Sequence, residues 1–189
     1  MLWGSVTRFG SQIRIDATLQ DLDGSRTVSL NETAANEDSL LPAISRLAEA
    51  VQQNLAHGSA DILKELTSTS WKPSTNSFEA LRLYNDGVRL TQQGTHQEAL
   101  KSFEAATKAD PSFALAFSGL AQAYSTLGYD DQAAQASRQA LSLSDALPPQ
   151  EKFRITANHY RIANDTDKAI ESYEKLLKAA PGDALTRFS

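Results

Sequence analysis

The sequence predicts an α+β chain, in which a small antiparallel β-meander with one or two helices is followed by an all-α stack of about three helical hairpins. Two observations predict this order. Apolar and polar residues alternate with a period of two over residues 12–19, which is the pattern of a half-buried strand. From residue 78 onward the apolar residues take helical spacing, and their pattern recurs after 34 and then 36 residues.

The first part of the chain contains the strand signals. The alternating segment is flanked by a short turn at Gly10-Ser11 and by a second turn at residues 21–24. One apolar and one polar face are typical of an antiparallel sheet that is buried on one side. Strands are therefore predicted at residues 2–9, 12–19 and 26–30.

A helix is predicted over residues 38–57, and a short second helix over residues 61–66. The longer helix presents one apolar stripe, formed by Leu40, Ile44, Leu47, Val51 and Leu55. Three strands and this helix leave a sheet edge unpaired. We therefore expect that edge to pair with further sequence or with another molecule.

The second part of the chain repeats one pattern three times. Matching positions of the second helix in each unit are Ala99, Phe103 and Ala106, then Ala133, Ser137 and Ala140, then Ala169, Tyr173 and Leu176. The turns within the units share residues that accept the left-handed conformation, namely Gly94, Gly128 and Asn164. Each hairpin leaves apolar surface that the next hairpin covers, so this period predicts a stack.

These residues resemble the tetratricopeptide repeat family over residues 78–183, and the segment 109–116 is especially similar to the family's junction between repeats. The resemblance implies a domain over residues 78–189 that forms a right-handed superhelix and binds proteins or peptides. The second unit departs from the family pattern at Ser137 and Asp145, where an aromatic residue and a proline are usual. The implied repeats cover residues 78–111, 112–147 and 148–183.

Residues 1–66 resemble the last part of a TolB amino-terminal-like domain, and residues 67–77 are predicted to be a linker. The segments that carry this resemblance are 2–6, 13–15 and 19–21. Residues 77–87 and 149–160 are similar to the repeat region of large bacterial signalling proteins that begin with a Ser/Thr kinase or a winged-helix DNA-binding domain. The resemblance implies a non-catalytic regulatory or sensory arm, and we expect the chain to be a segment of a longer bacterial protein.

The composition and residue spacing argue against several other kinds of functional site. The 189 residues include no cysteine, which excludes disulfides, thiolate catalysis and zinc–thiolate sites. A net charge of −5 gives no general attraction to nucleic acid or anionic lipid, and no apolar run approaches the ~20 residues that span a bilayer. His57, His96 and His159 lie in no ligand-spaced motif, and residues 21–24 lack the spacing of a calcium loop. We therefore predict no enzyme activity, metal or cofactor in this segment, and leave the compartment, cytoplasmic or extracytoplasmic, open.

A polar groove is the predicted functional site. In such a stack the first helix of each hairpin lines a concave surface, and residues opposite the small packing residues point into it. The predicted partner-binding residues are Tyr84, Asn85, Val88, Ser118, Gln122, Arg154, Asn158 and Arg161. Arg154, Asn158 and Arg161 share one helical face, from which they can hold the carboxylate and backbone groups of an extended peptide. The alternative is a solvated polar face that has no specific ligand.

Family members that bind chaperone tails use a set of basic and amide residues, and Tyr84, Val88 and Gly119 occupy the corresponding positions here. The resemblance therefore argues against recognition of those tails.

A rival interpretation is that the chain is a regulatory region of a Ser/Thr kinase or of a winged-helix transcriptional regulator and serves mainly for oligomerisation. In that case a homodimer would form through the sheet edge or through an end of the solenoid. A small-molecule site would need an apolar pocket, which the polar groove does not offer.

Overall fold

The computed structural model describes residues 1–20, 26–55 and 74–179. Within these ranges it confirms the α+β prediction, since a three-stranded antiparallel sheet and one helix precede six further helices. The chain divides into two compact units, Met1–Phe78 and Glu79–Ser189. Three sequence predictions lie outside the described residues, wholly or in large part: the turn at 21–24, the helix at 61–66 and the linker at 67–77.

The first unit contains a meander of strands β1 Leu2–Phe9, β2 Gln12–Gln20 and β3 Thr27–Ala34, hydrogen-bonded in the order β1-β2-β3. Its register places Leu2 opposite Leu19 and Phe9 opposite Gln12. Gly10 has φ of 63°, a left-handed conformation that a side chain would disfavour. The predicted first hairpin is therefore confirmed.

One helix, α1 Leu40–Leu55, packs against two of these strands. Ile13 of β2, Ala34 of β3 and Ala43 of α1 are buried together, and Leu40 packs against them. β1 differs, because each of its residues is exposed. The apolar face of the sheet is thus covered over β2 and β3 and open over β1.

β3 ends at Ala34, whereas the sequence prediction ended this strand at residue 30. The prediction stopped early because Glu32 breaks the apolar alternation. Glu32 lies opposite Ile15 on the face that α1 covers, and Arg46 of α1 approaches its Oε2 to 2.9 Å. This ion pair allows a charged residue to occupy an inward-facing strand position.

The second unit consists of three helical hairpins. Their helices are α2 Phe78–Gln92 and α3 His96–Ala109, then α4 Ala114–Thr126 and α5 Asp130–Ser142, then α6 Pro149–Ile162 and α7 Thr166–Ala179. Gly94, Gly128 and Asn164 have φ of 78°, 79° and 57°, so the predicted left-handed turn residues are confirmed. No helix in the described part of the chain is both long and apolar enough to cross a membrane.

Small residues allow these helices to approach one another. Six small residues at matching positions of the hairpins are all buried, namely Gly87, Ala99, Ala121, Ala133, Ala157 and Ala169. Phe113 is fully buried with Ala106 of α3 and Ile155 of α6 in one cluster. Because adjacent hairpins contribute to the same cluster, the apolar surface of each hairpin is covered by its neighbour.

Ser137 shows how the second hairpin accommodates its departure from the repeat pattern. It occupies the place that Phe103 has in the first hairpin, and it is buried. His159 of α6 lies against it, with 3.0 Å between Nδ1 and the serine Oγ. Since the Ser137 hydroxyl donates to the Ala134 carbonyl, we assign Nδ1–H as the donor to the serine. A polar pair therefore links α5 to α6 where an aromatic ring is absent.

Candidate functional site

An open groove of about 710 Å³ runs along the second unit. The first helices of the three hairpins, α2, α4 and α6, line it together with α7, and Phe103 of α3 contributes to its floor. Its residues from the first helices are Tyr84, Val88, Thr91, Gln92, Leu115, Ser118, Gly119, Gln122, Arg154, Asn158 and Arg161. Those from α7 are Thr166, Ala169, Ile170, Tyr173 and Leu176.

Seven of the eight residues predicted from the sequence line this groove. Asn85 is exposed on α2 and is not among the lining residues. It follows Tyr84 by one position, which turns its side chain by about 100° around the helix axis, whereas Tyr84 and Val88 share a face. The role of all eight residues in binding a partner stays a prediction.

The sequence prediction omitted the contribution of α7. It considered only the first helix of each hairpin, but Ile170 and Tyr173 on the last helix also line the groove. Ile170 is an exposed apolar residue. Ile170 and Tyr173 are three residues apart, which places both on one face of α7. This spacing is the sequence signal that could have indicated their shared position in the groove.

Phe103 forms the floor of the groove because two glycines make room for its ring. A Cβ atom on Gly87 or Gly119 would lie 2.7 or 2.5 Å from Phe103 Cε1. Tyr84 packs on the same ring, with 5.9 Å between ring centroids, and lies 5.2 Å from the Phe113 ring. The floor is therefore an aromatic cluster that side chains at Gly87 and Gly119 would disrupt.

Tyr84 places a phenol at the boundary between this floor and the polar wall. Burial raises the pKa of the Tyr84 hydroxyl, and the nearby Arg154 guanidinium opposes that rise. The phenol is consequently neutral at physiological pH. A neutral hydroxyl can both donate and accept a hydrogen bond, which suits contact with a peptide backbone.

Asn158 positions the polar wall of the groove. Its Nδ2 donates to the backbone carbonyl and to the hydroxyl oxygen of Ser118, at 3.0 Å each. Its Oδ1 accepts a bond of 2.9 Å from Nη2 of Arg161. The amide therefore connects α6 to α4 and restrains the Arg161 guanidinium at the same time.

The two groove arginines are the positive charges of this surface. Arg154 and Arg161 are exposed, and among the described residues neither forms an ion pair with a carboxylate. Five arginines outside the groove lie within 3.3 Å of a carboxylate oxygen, namely Arg8, Arg14, Arg46, Arg82 and Arg89. The groove residues that the structure describes include no aspartate or glutamate. On a chain of net charge −5, the groove is thus locally positive.

His159, the histidine nearest to this wall in sequence, does not line the groove. It faces Ser137 of α5 instead, and burial lowers the pKa of its imidazole, with a further decrease from the Arg138 charge. Its side chain therefore belongs to the packing between hairpins.

Family models match the second unit in three segments. A model described as TPR repeat matches residues 87–128, and a model described as tetratricopeptide repeat matches residues 115–146 and 157–183. No curated protein matches the chain.

Several solved structures are similar to part of the chain. The first TPR of Spaghetti (RPAP3), bound to the HSP90 peptide SRMEEVD, is 21% identical with a TM-score of 0.43, covering 58% of this chain and 85% of its own. The first TPR domain of human RPAP3 is 21% identical with a TM-score of 0.44, covering 58% and 84%. The second domain of human RPAP3, in complex with the HSP70 peptide SGPTIEEVD, is 19% identical with a TM-score of 0.41, covering 58% and 89%.

The two family models match the region that the structure folds into hairpins, and the turns and small residues of those hairpins repeat at the matched period. The helical unit of this chain therefore contains tetratricopeptide repeats.

Proposed function

We propose that the groove binds an extended segment of a partner protein that carries acidic side chains. One observation carries this proposal: Arg154 and Arg161 line a groove whose described residues include no carboxylate. Three exposed arginines outside the groove, Arg8, Arg82 and Arg89, instead pair with carboxylates of the fold. A guanidinium has five donors, so each groove arginine can take a carboxylate in bidentate fashion.

The rest of the groove offers complementary contacts to such a segment. Gln122 and the Tyr84 hydroxyl can bond the peptide backbone, whose donors and acceptors are unpaired in an extended chain. Ile170 and Tyr173 form an apolar wall for an aliphatic or aromatic side chain of the ligand. The charged groups would then fix the register and orientation of the bound peptide, while the apolar contacts would bury apolar surface and strengthen binding.

We also propose the wider context, in which this chain is a non-catalytic regulatory or sensory arm of a larger bacterial signalling protein. The resemblance of residues 1–66 to a TolB amino-terminal-like domain supports it, as does the sharp change of pattern at residue 78. The proposed organisation is that domain, a linker at 67–77 and a repeat domain at 78–189. A Ser/Thr kinase or a winged-helix sequence encoded upstream would support this context, and an unrelated upstream enzyme would contradict it.

The groove proposal is tested by selection from a random peptide library displayed on phage. We expect the wild-type chain to enrich peptides that contain aspartate or glutamate. An Arg154→Ala/Arg161→Ala variant should bind those peptides at least ~10-fold more weakly, because hydrogen bonds to charged groups contribute about 1.5–3 kcal/mol each.

A matched control is available on α2. Arg82 and Arg89 are also separated by seven positions on one helix, but both pair with Asp86 and neither lines the groove. The Arg82→Ala/Arg89→Ala variant should therefore keep the wild-type affinity. If both variants lost the same affinity for the peptides, the loss would reflect the overall charge of the chain rather than the groove. The proposal would be contradicted if the selection enriched neutral peptides that bind every variant with the same affinity.

A further inference from the structure

The outer edge of β1 presents a row of backbone N–H and C=O groups that are not hydrogen-bonded to any described strand. The Gln20 N–H donates to the Met1 carbonyl at 2.9 Å, and the Met1 amino group donates to the Gln20 carbonyl. In an antiparallel pair such doubly bonded residues recur at every second position. Odd-numbered residues of β1 therefore bond to β2. The outward-facing N–H and C=O groups belong to Leu2, Gly4, Val6 and Arg8.

The side chains of β1 are equally uncovered. Leu2 and Val6 are 60% and 69% exposed on the face that α1 covers over the other strands. Trp3 and Phe9, on the opposite face, are 49% and 64% exposed. An apolar surface on both faces of an edge strand is unusual for a sheet that ends there.

β1 also lacks the features that protect an edge strand from pairing. It contains no proline, lysine or carboxylate, and its register with β2 runs from Leu2 to Phe9 without a bulge. Its one charge, Arg8, is paired with Glu37 of the same unit at 3.0 Å. No net charge therefore opposes the approach of a second strand.

We propose that a second copy of this chain pairs with β1 in antiparallel fashion, about a two-fold axis at Val6, to form a six-stranded sheet. Both copies then present the same backbone row to each other, as a two-fold interface requires. This inference concerns the first unit alone and does not depend on the function of the groove.

Side-chain pairing selects this register. Residues directly opposite each other across two strands share a face, so Val6 meets Val6 of the second copy, and Trp3 meets Phe9. Arg8 then lies opposite Gly4, which leaves room for the long side chain. A register centred on Ser5 would instead place Arg8 opposite Leu2 and Trp3 opposite Thr7, which pairs unlike residues.

The other edge of the sheet is less suited to this pairing. On β3, Val28 and Leu30 are half-buried on the face that contacts α1, and the opposite face is polar, with Ser29 and Asn31 exposed. Pairing there would bury polar side chains rather than apolar ones. The proposal is therefore confined to β1.

The mass of the full chain in solution tests the proposal, by size-exclusion chromatography with light scattering over a range of concentrations. We expect twice the 20.5 kDa of the chain. The Val6→Lys variant should have the mass of a monomer, because the substitution places two like charges opposite each other at the two-fold axis. Since Val6 is exposed, circular dichroism should show a folded variant. Ser29→Lys, which adds the same charge to β3, should keep the wild-type mass.

The register is tested separately by crosslinking. The chain contains no cysteine, so Val6→Cys introduces the only thiol, and opposite residues of an antiparallel pair lie within the Cα separation that a disulfide spans. We expect Val6→Cys to form a disulfide-linked dimer on mild oxidation, and Ser29→Cys to form none. A monomeric wild-type chain, assemblies larger than a dimer, or equal crosslinking by both variants would overturn the proposal.

Discussion

Asn158 donates both of its Nδ2 hydrogen bonds to Ser118, one to the backbone carbonyl and one to the side-chain hydroxyl, each at 3.0 Å. The two residues are 40 positions apart and belong to the first helices of neighbouring hairpins. The contact thus fixes the spacing of α4 and α6 on the groove side. Because Asn158 also accepts from Arg161, one amide couples the stacking of the repeats to the arrangement of the groove charges.

Removing this amide should destabilise the chain. Asn158→Ala removes both hydrogen bonds to Ser118, and we expect the free energy of unfolding to fall by about 1–3 kcal/mol. Urea denaturation followed by circular dichroism measures the change. Asn85→Ala is the matched control, because Asn85 is exposed and outside the groove, and its effect should stay within about 0.5 kcal/mol. Equal stability of the two variants would show that the Ser118 contact does not hold the hairpins together.

The repeat architecture was predictable from the sequence because it rests on local rules. Gly94, Gly128 and Asn164 signal a left-handed turn by residue type alone, and the small residues recur at the period of one hairpin. The shared face of Arg154 and Arg161 was also predictable, because it depends only on their spacing along one helix. Such features depend on neighbours within a few positions along the chain.

Features that join distant side chains were not predictable in the same way. The bond between Ser137 and His159 links positions 22 residues apart, and the repeat pattern marks Ser137 only as a missing aromatic residue. Glu32 ended the predicted strand early because its partner, Arg46, lies on a different element. In both cases a specific tertiary contact satisfies a polar group that the local pattern treats as an interruption.

Gly119 is predicted to be required for the packing of the groove floor. An alanine there would favour the helix by about 1 kcal/mol, but its Cβ would lie 2.5 Å from Cε1 of Phe103, a ring that is only 4% exposed and has little room to move. We expect Gly119→Ala to lower the free energy of unfolding by about 1–2 kcal/mol.

A double-mutant cycle in thermal unfolding identifies the cause. Phe103→Leu removes the ring atoms that the new methyl group would meet, so the cost of Gly119→Ala should shrink in the Phe103→Leu background. Additive losses would place the cost of the alanine somewhere other than the Phe103 ring.

His159 should make the stability of the chain depend on pH. Burial, together with the Arg138 charge, lowers the pKa of its imidazole in the folded state. The unfolded chain therefore binds this proton more tightly, and the free energy of unfolding should fall as pH decreases below the ordinary histidine value of about 6.5, until the folded-state pKa is passed.

The measurement is urea denaturation at a series of pH values on either side of that window. His159→Gln should flatten the dependence, whereas Asn85→Ala, which replaces an exposed uncharged residue, should leave it unchanged. A steeper loss on acidification in His159→Gln than in the wild-type chain would contradict the role of burial.

The most direct test of the groove account is site-specific photo-crosslinking in the cells that make the protein. A benzoylphenylalanine at Gln122 lies on the exposed wall of the groove, and one at Gln139 lies on α5 outside it. We predict a crosslinked partner from Gln122 that is lost in the Arg154→Ala/Arg161→Ala background, and none from Gln139. A partner captured from Gln139 and not from Gln122 would contradict the account.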